Sequence, residues 1–245
     1  MSLGAGELAL LFGAVVLAGL VRGFSGFGTA LVYVPLASLV LPPVSVLVTM
    51  IVFDAFGPLP LLRRAWRAAR PDELWRLVLG AAIGVQIGLW LLTRADPVAF
   101  RWAVAVIALL LVGLLMSGWR FSGRLPGAGL LGVGGLSGTL GGFGGLSGPP
   151  VILFYLGGPG EAATVRANIL LFLVAGNLLS AASFGARGLL GAEALLLGLL
   201  LALPYTLATL AGQQLFGRAS ERTFRGVAYA LIAGVAVLSL PLWGS

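Results

Sequence analysis

The chain of 245 residues contains no cysteine, no histidine and no lysine. Without cysteine it forms no disulfide and offers no thiol nucleophile. Without cysteine and histidine it lacks the usual ligands of zinc and haem. The missing histidine also excludes a serine–histidine dyad and an imidazole proton relay. No metal or other cofactor is expected. Charge is scarce as well: 9% of the residues are charged, against about 25% in an average soluble domain. No soluble domain fits in the loops, the longest polar stretch being "RRAWRAARPDELWR", residues 63 to 76.

What remains is apolar. Hydrophobic residues make up 59% of the chain and come in long blocks, Leu8 to Val21, Phe100 to Met116 and Leu189 to Leu203 among them. Blocks near 20 residues match the hydrocarbon thickness of a bilayer at about 1.5 Å per residue. The period-two alternation of a membrane barrel is absent. The first block lacks the basic leader and small-residue cleavage pattern of a signal peptide. The composition therefore predicts an all-α, multi-pass membrane protein. The net charge of +7 comes from arginine alone. These arginines fall in loops, where they report membrane orientation rather than a nucleic-acid partner.

Ten helical segments are predicted, at 6–22, 26–41, 44–62, 74–93, 98–117, 127–140, 145–157, 162–184, 191–216 and 220–243. They repeat. "SGFGTALVYVP" from Ser25 resembles "GGFGGLSGPP" from Gly141, and "GLWLLTRADPVAFR" from Gly88 matches "GQQLFGRASERTFR" from Gly212. The two offsets, 116 and 124 residues, are similar and in the same order. Residues 1–118 and 126–245 thus read as two repeats of five segments within one transport domain.

An odd number of crossings per repeat inverts the second copy. If the first two segments of each repeat form a hairpin returning to its own side, one membrane face carries eleven arginines and the other keeps Arg94, Arg101 and Arg187. If each hairpin is instead one broken spanning helix, the split is eight against six. The positive-inside rule favours the inverted arrangement with both termini outside. The parallel arrangement stays open at this point.

The repeated glycine stretches interrupt the apolar blocks. Clustered glycines break helices, since each costs about 1 kcal/mol relative to alanine. A broken helix in a bilayer is tolerated only where its free backbone groups are buried in protein or line a cavity. A helix that begins at such a break points its N–H groups and positive dipole end at that cavity. Ser25 is placed to cap a helix starting near Gly26. Ser147, followed by Pro149 and Pro150, reads as another helix start. Two such ends make an anion site without a metal. The candidate substrate-binding residues are Arg22, Gly23, Ser25, Gly26, Phe27 and Gly28 at the first break, and Gly142, Phe143, Gly144, Gly145 and Ser147 at the second. Gly80, Gly84 and Gly88 read instead as packing contacts between helices.

The stretches "GFSGFGTALVYVP" followed by "LPP", and "GGFGGLSGPPVILFYLGGP", resemble the paired glycine signatures of the sulfite exporter TauE/SafE family, bacterial anion permeases. The resemblance covers nearly the whole chain. Thr29 stands where the family has its third glycine in the first copy. Membership implies transport, commonly outward, of sulfite, sulfonates or related sulfur oxyanions across the bacterial inner membrane.

Few other polar residues fall in the spans. Arg22 lies beside the first break, and a cation in the membrane is costly. It can pair with the substrate anion, pair with Asp54, or cap helix carbonyls. Asp54 is the one carboxylate placed within a span, a candidate for proton coupling or for a plain ion pair. Asn168, Asn177 and Gln86 can line a path or bind helices together. Asn168 is the foremost of them, close to the second hairpin and to Arg166. The sequence therefore predicts a secondary transporter whose partners are a small anion and the lipid bilayer. An anion channel shares the same site. A membrane-embedded enzyme lacks the residues for catalysis.

Overall fold

A computed structural model describes residues 3–57, 62–118, 125–157, 161–216 and 221–241. Trp119, Arg120, Arg124, Arg218 and Trp243 lie outside these residues. The described residues form eleven helices and no strand. They are α1 (Ala5–Ser25), α2 (Thr29–Ala37), α3 (Pro43–Asp54), α4 (Leu62–Ala68), α5 (Pro71–Leu92), α6 (Pro97–Met116), α7 (Gly127–Gly144), α8 (Gly148–Gly157), α9 (Ala162–Ala186), α10 (Ala192–Phe216) and α11 (Glu221–Leu238). Five of them, α1, α5, α6, α9 and α10, are long and apolar enough to cross a bilayer. The chain is a multi-pass membrane protein.

Several boundaries differ from the sequence reading: the second segment, expected at 26–41, is helical over Thr29–Ala37, the seventh starts at Gly148 instead of 145, and the short helix α4 was not expected. The third segment, expected to run from 44 to 62, ends as a helix at Asp54. The residues that follow include Gly57, Pro58 and Pro60, which disfavour helix continuation. The sixth, expected to stop at 140, runs through the glycines to Gly144.

The helices sort into two compact units. One holds α1, α2, α3, α6, α10 and α11; the other holds α4, α5, α7, α8 and α9. In each unit the helix pair at a glycine break packs on a long helix from the other half of the chain.

In the first unit, Gly19 lies against Tyr205 and Ala208, and Gly23, one turn on, against Thr209 and Gly212. Helices α1 and α10 therefore run in the same direction. Gly198 lies against Thr49 and Val52, while Tyr205 meets Phe53 and Asp54, so α3 also runs with α10. Helix α2 runs the other way: Thr29 reaches Asp54, and Tyr33, one turn later, reaches back to Thr49. The α1–α2 pair is thus a hairpin. With nine residues, α2 is only about 14 Å long, half of a hydrocarbon core near 30 Å.

The second unit repeats this plan. Gly80, Gly84 and Gly88 on α5 face Leu131, Gly135 and Thr139 on α7 in the same order. A Cβ at any of the three glycines would lie 2.1–2.2 Å from a backbone oxygen, so they are the packing contacts the sequence predicted. Helix α9 runs with α5, through Leu77 with Phe172 and Gln86 with Ser183. Helix α8 runs against α9, through Tyr155 with Asn168 and Ser147 with Gly176. The seams match in register. Gly19 on Tyr205, Gly23 on Thr209 and Gly212 on Leu20 have Gly138 on Ala81, Gly142 on Val85 and Gly88 on Thr139 as counterparts, which keeps the offset that aligns Gly88 with Gly212 and moves the motif pairing of Ser25 from Gly141 to Gly144.

Trp66, Trp75, Trp90 and Trp102 are exposed, as an interfacial aromatic belt requires. The Arg94 guanidinium stacks 4.3 Å from the Trp90 ring and that of Arg76 5.2 Å from Trp75.

Candidate functional site

The first break is built by two glycines in the left-handed region. Gly26 (φ 77°) closes α1 by donating its N–H to the Arg22 carbonyl at 2.8 Å. Gly28 (φ 98°) precedes Thr29, the first residue of α2. Only glycine adopts these angles without strain. A Cβ at Gly26 would meet nothing within 4 Å, whereas one at Gly23 would lie 2.1 Å from the Thr209 carbonyl oxygen. The two glycines therefore differ in kind. Gly26 faces open space, and Gly23 belongs to the α1–α10 seam.

Ser25 does not cap a following helix, as its sequence position suggested. It is the last residue of α1, because the left-handed Gly26 ends that helix instead of starting one. Its hydroxyl donates to the Val21 carbonyl at 2.6 Å and also reaches the Phe27 carbonyl. The Phe27 N–H donates back to it at 3.3 Å. Ser25 thus staples the turn.

At the second break, Gly145 (φ 71°) closes α7 and gives its N–H to the Gly141 carbonyl, while Leu146 N–H reaches the Leu140 carbonyl at 3.1 Å. The bond from Gly145 to Gly141 is the αL helix closure. Helix α8 then starts at Gly148, directly after Ser147 and with Pro149 and Pro150 in its first turn. The Ser137 hydroxyl donates to the Ser147 carbonyl. Phe143 and Gly144 are still helical, and a Cβ on Gly142 would lie 2.5 Å from the Val85 carbonyl oxygen. Gly142 therefore sits in the α5–α7 seam, and the turn itself is formed by Gly145, Leu146 and Ser147.

A polar cluster adjoins the first break. Tyr205, wholly buried on α10, donates its hydroxyl proton to Asp54 Oδ1. Its oxygen accepts from Thr29, whose Oγ1 lies 2.8 Å away and also 3.4 Å from Asp54 Oδ1. Arg22, half-buried, lies on α1 between Gly19 and Gly23, which pack on Tyr205 and Thr209 of α10. The structure thus brings together Arg22 and Asp54, which the sequence singled out, with Thr29 and Tyr205, which it did not. A tyrosine after a proline inside the apolar run "LALPYTLATL" was the available signal.

Asn168 is elsewhere and fully engaged. It is wholly buried, accepts the Arg70 N–H at 2.9 Å and donates to the Tyr155 hydroxyl at 3.0 Å. It ties α9 to α8 and to the start of α5. Gln86 donates to Ser183 at 2.7 Å and accepts from Arg187 at 3.0 Å, binding α5 to α9. No group of acidic residues that could hold a metal occurs among the described residues.

Comparison with known proteins agrees with the motifs. The model of the family described as "Sulfite exporter TauE/SafE" matches residues 11–239. No curated protein and no solved structure matches the chain. The chain belongs to the sulfite exporter TauE/SafE family, and it is a membrane transporter of the sulfite and sulfonate exporter type, not an enzyme.

Proposed function

We propose that this protein exports a small sulfur oxyanion, sulfite or an organosulfonate, across a bacterial inner membrane by alternating access. Each glycine-rich helix break is a candidate anion site, formed by Arg22, Gly26, Phe27 and Gly28 in the first unit and by Gly145 and Ser147 in the second. Gly23, Gly142, Phe143 and Gly144 set the seams behind these turns, Ser25 holds the first turn in shape, and Asn168 braces the second unit. The observation that carries the reading is the first break. Two left-handed glycines, one facing open space, follow directly on an arginine at the end of the first candidate membrane span. A cation there needs a counter-charge, and the first N–H groups of α2, which starts directly after Gly28, favour an anion.

The two repeats, 1–118 and 126–245, are inverted in this reading. Support comes from the direction of α2 and α8, each of which runs back against its neighbours. A hairpin adds no crossing, so three crossings per repeat remain and the second copy enters from the opposite side.

The test is transport by purified protein in vesicles. Sulfite or methanesulfonate accumulated against its own gradient, driven by a second ion gradient, identifies a transporter. Movement only down the gradient identifies a channel, and no movement of either anion rejects the substrate class.

A further inference from the structure

We propose that Asp54 is a built-in counter-anion: it neutralises Arg22 while the site is empty, and the incoming oxyanion replaces it as Asp54 takes up one proton. The proposal rests on the first break being the anion site.

The placement of Asp54 is unfavourable by itself. It is the last residue of α3, where free carbonyls repel a negative charge. A carboxylate at the end of so apolar a helix needs partners. Asp54 has surroundings suited to an oxyanion: the Tyr205 hydroxyl as donor, Thr29 bonded behind it, and Arg22 on the α1 turn that packs on Tyr205. The groups that face it come from three helices. Arg22 comes from α1, Thr29 and Tyr33 from α2, and Tyr205 from α10. Tyr33 is held away by its own 2.8 Å bond with Thr49. Arg22 is thus the one permanent cation among them.

The second copy of the seam shows that packing does not require this cluster. With the two seams aligned by their contacts, Gly23 on Thr209 with Gly142 on Val85, Arg22 corresponds to Gly141, Thr29 to Gly148, Asp54 to Leu173 and Tyr205 to Ala81. The contact of Gly19 with Tyr205 is kept there as Gly138 with Ala81, without any polar side chain. All four polar residues are present together in one copy and absent together from the other. That is the pattern of a functional unit, not of four separate helix contacts.

Charge balance then fixes the exchange. Arg22 with ionised Asp54 is neutral. Adding a monoanion leaves a net negative charge in a medium that disfavours it. One proton from water onto the Asp54 carboxylate restores neutrality: the guanidinium keeps its charge, the substrate supplies the negative charge, and Asp54 becomes the acid.

The experiment is calorimetric titration of purified full-length protein with sulfite and with methanesulfonate, in two buffers of different ionisation enthalpy. Methanesulfonate stays ionised around neutral pH, so protons counted with it belong to the protein. The expected result is one proton taken up per anion bound. Asp54→Asn should bind methanesulfonate as tightly as the wild type or more tightly and take up none. Arg22→Gln should weaken binding roughly ten- to a hundredfold, the loss of a charge-assisted hydrogen bond. Should Asp54→Asn not fold, Asp54→Glu moves the carboxylate by one methylene and should shift the pH at which proton uptake is half-complete. Wild-type binding without proton uptake, uptake that persists in Asp54→Asn, an unshifted midpoint in Asp54→Glu, or unchanged affinity in Arg22→Gln overturns the exchange. If the wild type binds neither anion, the anion site itself is rejected and the exchange with it, a result distinct from binding without protons.

Discussion

Alanine at Gly23 tests whether the glycines of the α1–α10 seam are there for close approach. A Cβ at this position would stand 2.1 Å from the Thr209 carbonyl oxygen and 3.0 Å from both the Gln213 nitrogen and the Gly212 Cα. Carbon and oxygen approach to about 3.3 Å at closest without repulsion. The obstacle is backbone inside a helix, so no rotamer change relieves it. Helices α1 and α10 must separate by about 1 Å along their contact. Overpacking of this kind costs about 1–3 kcal/mol, and a rigid obstacle puts it at the upper end. Alanine returns about 1 kcal/mol through helix propensity. The net loss is about 2 kcal/mol, or a fall of roughly 4–8 °C in Tm for a chain of this size. Gly13→Ala is the control, in the same helix with nothing within 4 Å of the new Cβ; it should be neutral or stabilising. Tm is read from tryptophan fluorescence of the purified protein in detergent. A Gly23→Ala variant as stable as Gly13→Ala would show that the seam is looser than the backbone distances imply.

Three further outcomes are expected. Asn168→Ala leaves the Arg70 N–H and the Tyr155 hydroxyl without their partner and should lower stability by about 1–3 kcal/mol, while sulfite binding by the folded protein is unchanged; a binding defect without a stability loss would move Asn168 into the substrate path. Ser25→Ala removes a neutral hydroxyl and should reduce sulfite transport about tenfold or less, whereas Gly26→Val, at φ 77° and facing open space, should abolish it in protein that still inserts; equal effects would deny the break its role as a backbone site. For topology, single cysteines replacing the matched residues Arg94 and Arg218 would be the only thiols in the chain, and a membrane-impermeant reagent on intact cells should label 94 and spare 218; label at both would make the repeats parallel.

The breaks were legible because glycine acts through backbone geometry that sequence states directly. Gly26, Gly28 and Gly145 carry positive φ where the motifs predicted interruptions. Which glycines face open space was not legible. Gly23 and Gly26 look alike in "RGFSGFG", and only the position of Thr209 across the seam separates them. The end of α3 was missed because its apolar run continues through "AFGPLPL", although Gly57, Pro58 and Pro60 are the usual punctuation. The cluster around Asp54 was half legible. Arg22 and Asp54 stand out as charges in an apolar chain. Tyr205 lies 151 residues from Asp54, and no local pattern records so distant a pairing. Thr29 was visible as a departure from the family's glycine, but its purpose appears only with its two partners in place.

The divergence of the two copies also bears on what moves. Both seams keep the same backbone contacts, so each hairpin is held to its long helix in the same manner. Only one copy adds ionisable groups, so the charge of the cycle is concentrated there. With Asp54 as counter-anion, the empty site holds a cation and a carboxylate, and the loaded site holds a cation, a substrate monoanion and a neutral acid. Neither state carries net charge. Moving one elementary charge through the membrane potential costs about 2.3 kcal/mol per 100 mV, and a net charge in the hydrocarbon costs more than that in solvation. A carrier that reorients both empty and loaded avoids both costs only if the two states have equal, near-zero charge. Arg22 alone would satisfy this when loaded and fail when empty; Asp54 alone would fail in both. The pair, with one proton exchanged, would satisfy it in each, and on the proposed exchange that is the physical use of a carboxylate beside the cation.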